Sequence, residues 1–373
     1  MAVAADLLPV GIAASDCLTP FGDAAATTRA LREGRVALQL QPVLGADGGD
    51  LVPLALLGPM QESVPARWLR DARRLADRIG GGGWGTPRRP VVVTSSNFGV
   101  GSLHAFMRDG DPRHLRHGVP FASVDLLRAE CGWGEHVTVF SHACVSAHLG
   151  LLHAARLLHA GRADQVLAFS FDFVSAFVAG GFHSLKILNG VMPAPYAVRE
   201  TGAIGLGDGA AYAVLTRAAA PLRITAQALY NEMHHFTGNE PAGAGFATCA
   251  HALAPATRGR RVWIKGHGTG TLEAGRLEAE AFARVFPDAP LVSWKGSLGH
   301  TLGSCGLVEL ALAVAMLTDG EGTIAGTVGG AAPSFTDDVA LASFAAGGFD
   351  AAVLASNAFG GAHAALVLSP AGG

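Results

Sequence analysis

Charge and aromatic side chains are both scarce in this sequence. Only 15% of its 373 residues are Asp, Glu, Lys or Arg, and 7% are Phe, Trp or Tyr. The 27 basic residues nearly balance the 30 acidic ones, for a net charge of −3. That leaves no electrostatic case for nucleic-acid binding. The five cysteines, Cys17, Cys131, Cys144, Cys249 and Cys305, show no CxxC spacing. They argue against a disulfide framework or zinc ribbon and fit a reducing compartment. No paired His or Cys pattern suggests a metal, and none is expected. The opening MAVAADLLPVGIAASD lacks the basic region of a secretory signal. The most apolar helical stretch, Leu307 to Leu317, contains Glu309 and is too short to cross a bilayer. A cytoplasmic protein without a membrane span is the expectation.

What is present is apolar bulk. Half of the residues are hydrophobic and 50 are glycine, so a large share must be buried, and the length suffices for two fused domains. Val-rich runs at 90–96, 136–142, 165–171, 261–267 and 290–296 read as buried strands. Helical patterns at 145–161, 273–286 and 306–320 lie between them, which indicates α/β layers. The last two runs, FDAAVLAS and AHAALVLS, flank NAFGG and read as an antiparallel pair. A weak seam falls at TRAAAPL, near 216–222, and divides the chain into 1–217 and 218–373. The Gly80–Gly85 run lacks the Lys and spacing of a phosphate-binding loop.

Three segments could carry chemistry. In VFSHACVSAHLGLL a strand ends near Phe140 and a small-residue turn leads into an apolar helix. Cys144 thus sits at or near a helix N-terminus, where the dipole and free N–H groups favour thiolate; a buried structural cysteine is the plainer alternative. His267, in KGHGTGTLEAG, follows a strand and precedes glycines that permit close backbone approach. His300, in SWKGSLGHTLGSCG, follows a Gly-containing turn, with Lys295 at the preceding strand end and a helix opening near Thr301. An imidazole at a helix N-terminus stays neutral and can donate to a developing oxyanion.

Taken together, these segments resemble the elongating β-ketoacyl-acyl-carrier-protein synthases, with their Cys-His-His site. The likeness runs in order along the chain: TPFGDAAATTRALREG (19–34), FVAGGFHSLKILNG (177–190), GLGDGAAYAVL (205–215), MHHFTGNEPAGAG (233–245) and SNAFGGAHAALVL (356–368). It implies a thiolase-like α/β fold of two similar halves forming a five-layered αβαβα sandwich, with the cysteine in the first half and both histidines in the second. Cys144 would carry an acyl group as thioester. His267 and His300 would hold the carbonyl of a malonyl unit on acyl carrier protein while it loses carbon dioxide. Lys295 and Glu278 match the family's buried Lys–Glu pair. The backbone N–H groups of Cys144 and of the Phe359–Gly360 turn would form the second oxyanion hole, Phe359 also matching the family's gate. No cofactor is implied beyond the phosphopantetheine of the carrier. Implied partners are acyl carrier protein and a second subunit, either an identical copy or a related ketosynthase or chain-length factor.

The sequence also departs from the family. Ala274 and Gly275 stand where Asn or Gly and then Asp are usual, Asp208 replaces a Glu, and Ala197 replaces the Asp of a Pro-Phe-Asp segment. The closing turn is shortened to NAFGGAH, with His363 for Asn. These changes suggest a specialised branch, such as polyketide or polyene assembly. A non-catalytic chain-length-determining partner, or another acyl transfer on the same scaffold, are the competing readings. For carrier docking, the helical segment 66–78 offers Arg67, Arg70, Arg73, Arg74 and Arg78; Arg70, Arg73 and Arg74 are the chosen candidates, set against an ordinary solvated helix face.

Overall fold

The structure, a computed structural model, describes residues 3–5, 9–43, 49–60 and 64–371. Ten strands build its centre. The first five are β1 (Val10–Leu18), β2 (Val91–Thr94), β3 (Val137–Phe140), β4 (Gln165–Asp172) and β5 (Gly209–Thr216). The second five are β6 (Leu222–Asn231), β7 (Val262–Lys265), β8 (Leu291–Val292), β9 (Ala351–Ala358) and β10 (Ala362–Pro370). The first set runs β3-β2-β4-β5-β1 across its sheet, and the second runs β8-β7-β9-β10-β6. Each set has the same senses: parallel through its first three strands, then antiparallel twice. The halves therefore repeat one topology, and they join where β1 meets β6 through two register pairs, Val10 with Ile224 and Gly11 with Arg223.

Two helices lie between the sheets, α1 (Ser146–His159) and α2 (Cys305–Thr318). Each touches strands of both sets as well as the other helix. This middle position explains the composition of α2, which from Cys305 to Ala313 is buried all round and apolar except for Glu309. Leu151 and Leu158 of α1 and Leu307, Leu310 and Leu312 of α2 are all at most 1% exposed and share one cluster. Truncating any of these leucines to alanine costs about 2–5 kcal/mol. The helices cross at Gly306, where a Cβ would lie 2.7 Å from the His148 ring. Outer helices complete the five layers: Ala244–Thr257 and Leu272–Val285 cover one sheet, and Pro120–Cys131 and residues 64–76 cover the other.

One expected strand is cut short. In the 290–296 run only Leu291–Val292 is strand. Ser293 turns its hydroxyl to the Gly268 carbonyl at 2.7 Å, and Trp294 donates its indole N–H to the Ala325 carbonyl. The chain then enters a short helix, Lys295–Leu298, so Lys295 opens a helix instead of ending a strand. No described helix is long and apolar enough to cross a membrane.

Candidate active site

Cys144 is set by a tight turn after β3. Ser146 accepts the His142 N–H at 2.7 Å and donates to the Ala143 carbonyl at 2.6 Å, which folds the chain back on itself. Ala143 takes a left-handed conformation, φ 44°, uncommon for a residue with a Cβ. The turn delivers the thiol just before α1 begins at Ser146. From the other half, Cys305 at the start of α2 donates its thiol to the Cys144 carbonyl at 3.3 Å.

His267 follows β7 through Gly266. Its backbone N–H and that of Gly268 both donate to Glu278, at 2.6 and 2.9 Å, and the Tyr196 hydroxyl donates to the same carboxylate at 2.8 Å. The glycines are needed for this contact. A Cβ at Gly266 would stand 2.1 Å from the Tyr196 oxygen, and Gly268 has φ 32°. His300 is held by its backbone, which donates to Gly205 and accepts from Gly207 beside β5. Its helix begins later than expected, with a 3₁₀ turn at Leu302–Ser304 before α2 opens at Cys305.

The three side chains converge. Cys144 Sγ lies 2.9 Å from His300 Nε2, and the two imidazoles meet edge to face with centroids 4.9 Å apart. Burial, reinforced by Lys295, holds both rings well below the usual histidine range. Each is neutral near pH 7 and able to donate one N–H. Burial also drives the Cys144 thiol well above its ordinary value, with Lys295 pulling the other way. Burial thus opposes the thiolate that the helix N-terminus and Lys295 favour. His300 stands in place to receive the thiol proton.

The buried partner of Lys295 is not the one expected. Glu278 is engaged by the His267 loop and by Tyr196, whereas Lys295 pairs with Glu309 of α2. Lys265, at the end of β7, pairs with the same Glu309 oxygen. The lone acid in an apolar helix was the available signal, since a buried charge requires a partner. Likewise, Lys265 stood out as a cation in an otherwise apolar strand. Where the family carries acids, Gly275 and Ala197 stand here, and the Tyr196 hydroxyl supplies a polar link to Glu278. Phe359 stacks on Phe182 with centroids 5.8 Å apart. The Gly360 N–H is occupied by the Phe236 carbonyl at 2.8 Å, so it is not free for an oxyanion.

Among the arginines of 64–76 and its flank, Arg67 is buried and pairs with Asp208, which removes it from any docking face. Arg70 pairs with Asp71, Arg73 with Glu130, and Arg78 with Asp16. Arg74 is exposed.

A cavity of about 320 Å³ opens onto Cys144, His267 and His300. Phe182, Ile204 and Phe359 give it apolar walls, and Thr237, Thr269, Thr271 and Asn357 give it polar groups. Ligand atoms of Cys144, His267 and His300 lie within 4.8 Å of one another, a donor set that could also hold a soft divalent ion.

A repeated five-strand order around a buried helix pair, with thiol and imidazoles at the seam, defines a thiolase-like fold. Within it, residues 223–329 match the family of the β-ketoacyl synthase C-terminal domain. The chain is similar to the tetracenomycin polyketide synthase ketoacyl synthase alpha subunit of Streptomyces glaucescens, at 32% identity over 216 residues, 52% of this chain and 50% of that one. It is also similar to the granaticin polyketide putative beta-ketoacyl synthase 1 of Streptomyces violaceoruber, at 29% identity over 231 residues, 55% of each chain. The chain thus spans about half the length of these curated relatives. In fold it is similar to a β-ketoacyl synthase from Burkholderia phymatum STM815, with TM-score 0.82 and 18% identity over 98% of this chain and 100% of the other. The ishigamide ketosynthase/chain length factor gives TM-score 0.79 and 19% identity over 98% and 99%. The resemblance to β-ketoacyl synthases read from the sequence holds in both sequence and fold.

Proposed function

We propose that this protein is a β-ketoacyl synthase, an acyltransferase that performs a decarboxylative Claisen condensation. The carrying observation is the approach of Cys144 Sγ to His300 Nε2 with His267 beside them, at the end of a cavity. Cys144 attacks an acyl thioester, its proton passes to His300, and the carrier leaves as a free thiol. The malonyl thioester then enters, and its carbonyl accepts N–H bonds from the two neutral imidazoles. Loss of carbon dioxide puts negative charge on that oxygen, where the donors stabilise it most. The enolate carbon attacks the acyl-Cys144 carbonyl, the C–S bond breaks with the sulfur leaving as thiolate and taking up a proton from solvent, and a β-ketoacyl thioester two carbons longer is released. Holding both thioesters in one cavity makes the second step effectively unimolecular.

Substrates would arrive on the phosphopantetheine arm of acyl carrier protein, with Thr269 and Thr271 offering hydroxyls along the way in. Carrier docking would use Arg70, Arg73 and Arg74. A solved type II polyketide ketosynthase bound to its acyl-carrier protein, and others paired with a chain length factor, support partners of these two kinds. The halves 1–217 and 218–373 would act as one unit, each supplying part of the site.

The test is incubation with acyl-carrier protein and then malonyl-carrier protein, following the mass of Cys144 and carbon dioxide release. Acylation followed by release is expected, and Cys144→Ala should abolish acylation. An unmodified thiol would favour the non-catalytic partner subunit. Acylation without carbon dioxide release would favour another acyl transfer.

A further inference from the structure

One buried carboxylate gathers donors from both halves of the chain. Asp172 ends β4 and is 1% exposed. Its Oδ1 accepts the Ser95 hydroxyl at 2.7 Å and the Asn97 N–H at 3.0 Å. Its Oδ2 accepts the Ser96 N–H and the Ser304 N–H, each at 3.1 Å, and the Ser96 hydroxyl at 3.3 Å. Ser95 belongs to the first half, and its own N–H donates at 3.3 Å to Phe140, the last residue of β3 before the turn that delivers Cys144. Ser304 belongs to the second half and closes the 3₁₀ turn Leu302–Ser304 that follows His300.

That turn is held in place by its surroundings. Leu302 has φ 56°, a left-handed conformation that an ordinary residue keeps only where its neighbours impose it. A Cβ at Gly303 would stand 2.6 Å from the Ser96 nitrogen and 2.9 Å from Asp172 Oδ2, so the approach leaves no room for a side chain. Ser304 turns its hydroxyl back to the Thr301 carbonyl at 2.7 Å and does not cap α2. The Asp172 carboxylate stands at that helix end instead, where the dipole favours an anion.

We propose that Asp172 is a positioning residue, which registers the turn after His300 against the loop bonded to the Cys144 strand and so sets the contact between Nε2 and Sγ. The backbone of His300 is tied to Gly205 and Gly207, which fixes the near end of the turn. Asp172 fixes the far end, at Ser304. Small displacements matter here because a proton passes only across a well-aligned contact. The consequence for acyl transfer rests on the function proposed above; the placement of the imidazole against the thiol does not.

Asp172→Asn keeps the size but turns one acceptor oxygen into a donor that faces N–H groups, so one set of contacts is lost. Gly303→Ala leaves the carboxylate and pushes the turn off it. Alkylation of Cys144 by iodoacetamide at one fixed pH is followed by mass spectrometry, with a chelator present so that no ion occupies the thiol and imidazoles. Each variant is compared with the parent, and again in a His300→Ala background. Either change should slow alkylation by about tenfold or more in the parent, and by no more than about twofold once His300 is alanine. With acyl-carrier protein the maximal rate of Cys144 acylation should fall by the same factor while the half-saturating concentration holds. An unchanged rate in a folded variant overturns the proposal. So does an equal loss in the His300→Ala background, which would make Asp172 a structural anchor only. If Asp172→Asn fails to fold, Gly303→Ala decides by the same two comparisons; failure of both to fold overturns the proposal, because the contact then serves the fold. If the parent takes up no acyl group from the carrier yet alkylation responds as stated, the condensing reading falls and the role of Asp172 stands.

Discussion

The Cys144 sulfur and the His300 Nε2 lie 2.9 Å apart although 156 residues separate them along the chain. One belongs to the turn after β3 and the other to the turn before α2. Burial pushes the thiol up, so this contact offers the route by which it loses its proton and becomes a nucleophile. His300→Ala should slow acylation of Cys144 by about 100-fold or more. In the parent, alkylation of Cys144 by iodoacetamide, read by mass spectrometry, should keep climbing through pH 9, since a raised thiol is still mostly protonated there. A plateau below pH 8 would show a resting thiolate instead.

Glu309 pairs with two buried lysines at once. Glu309→Gln leaves them facing each other in a dry interior and should cost about 3–5 kcal/mol. Urea denaturation checks this. The combined Glu309→Leu, Lys265→Met, Lys295→Met variant should recover most of that loss, because all three buried charges are removed together.

Burial lowers the buried histidines: His267 and His300 well below the normal range, His148 to about 4, and His363 downward against the pull of Glu232. A depressed folded-state value means the unfolded chain takes up protons first as pH falls. Stability is therefore complete above about pH 6.5 and drains away below it, with His148 alone contributing roughly 3 kcal/mol by about pH 4. Urea midpoints measured from pH 7.5 to 4.5 should fall steeply. In His148→Gln the acid slope should be shallower by about one proton, and an unchanged slope would remove His148 from the account.

Carrier docking through residues 64–76 predicts that Arg73→Glu with Arg74→Glu weakens acyl-carrier binding about tenfold at low salt, with a smaller effect at high salt. Titration calorimetry at two ionic strengths reads this directly. Arg67 serves as the contrast. It is enclosed with Asp208, so Arg67→Met should lower stability instead of altering the salt dependence of binding.

The sequence showed most clearly what depends on local order. A strand, a small-residue turn and an apolar helix around Cys144 can fold in few ways, and glycines beside His267 signalled the close packing that Tyr196 makes there. The closing antiparallel pair was equally plain. What escaped was set by packing across layers. Glu278 was matched to Lys295 by family likeness, but α2 crosses the site and brings Glu309 to it from 14 residues further along. Lys265 joins from a third element. The turn at Ser293 shortened a strand whose residues alone read as extended, and the occupied Gly360 N–H depends on a loop distant in sequence. Repetition of the halves came from the family likeness and not from the residues, because it constrains layers and directions, not side-chain identity.

Because the sulfur comes from the first five-strand set and both imidazoles from the second, competence is a property of the joined chain. A polypeptide severed between β5 and β6 would yield two fragments, neither of which holds the thiol and the imidazoles together. Under the condensing reading proposed above, reconstituted turnover would then report how well the fragments had found one another.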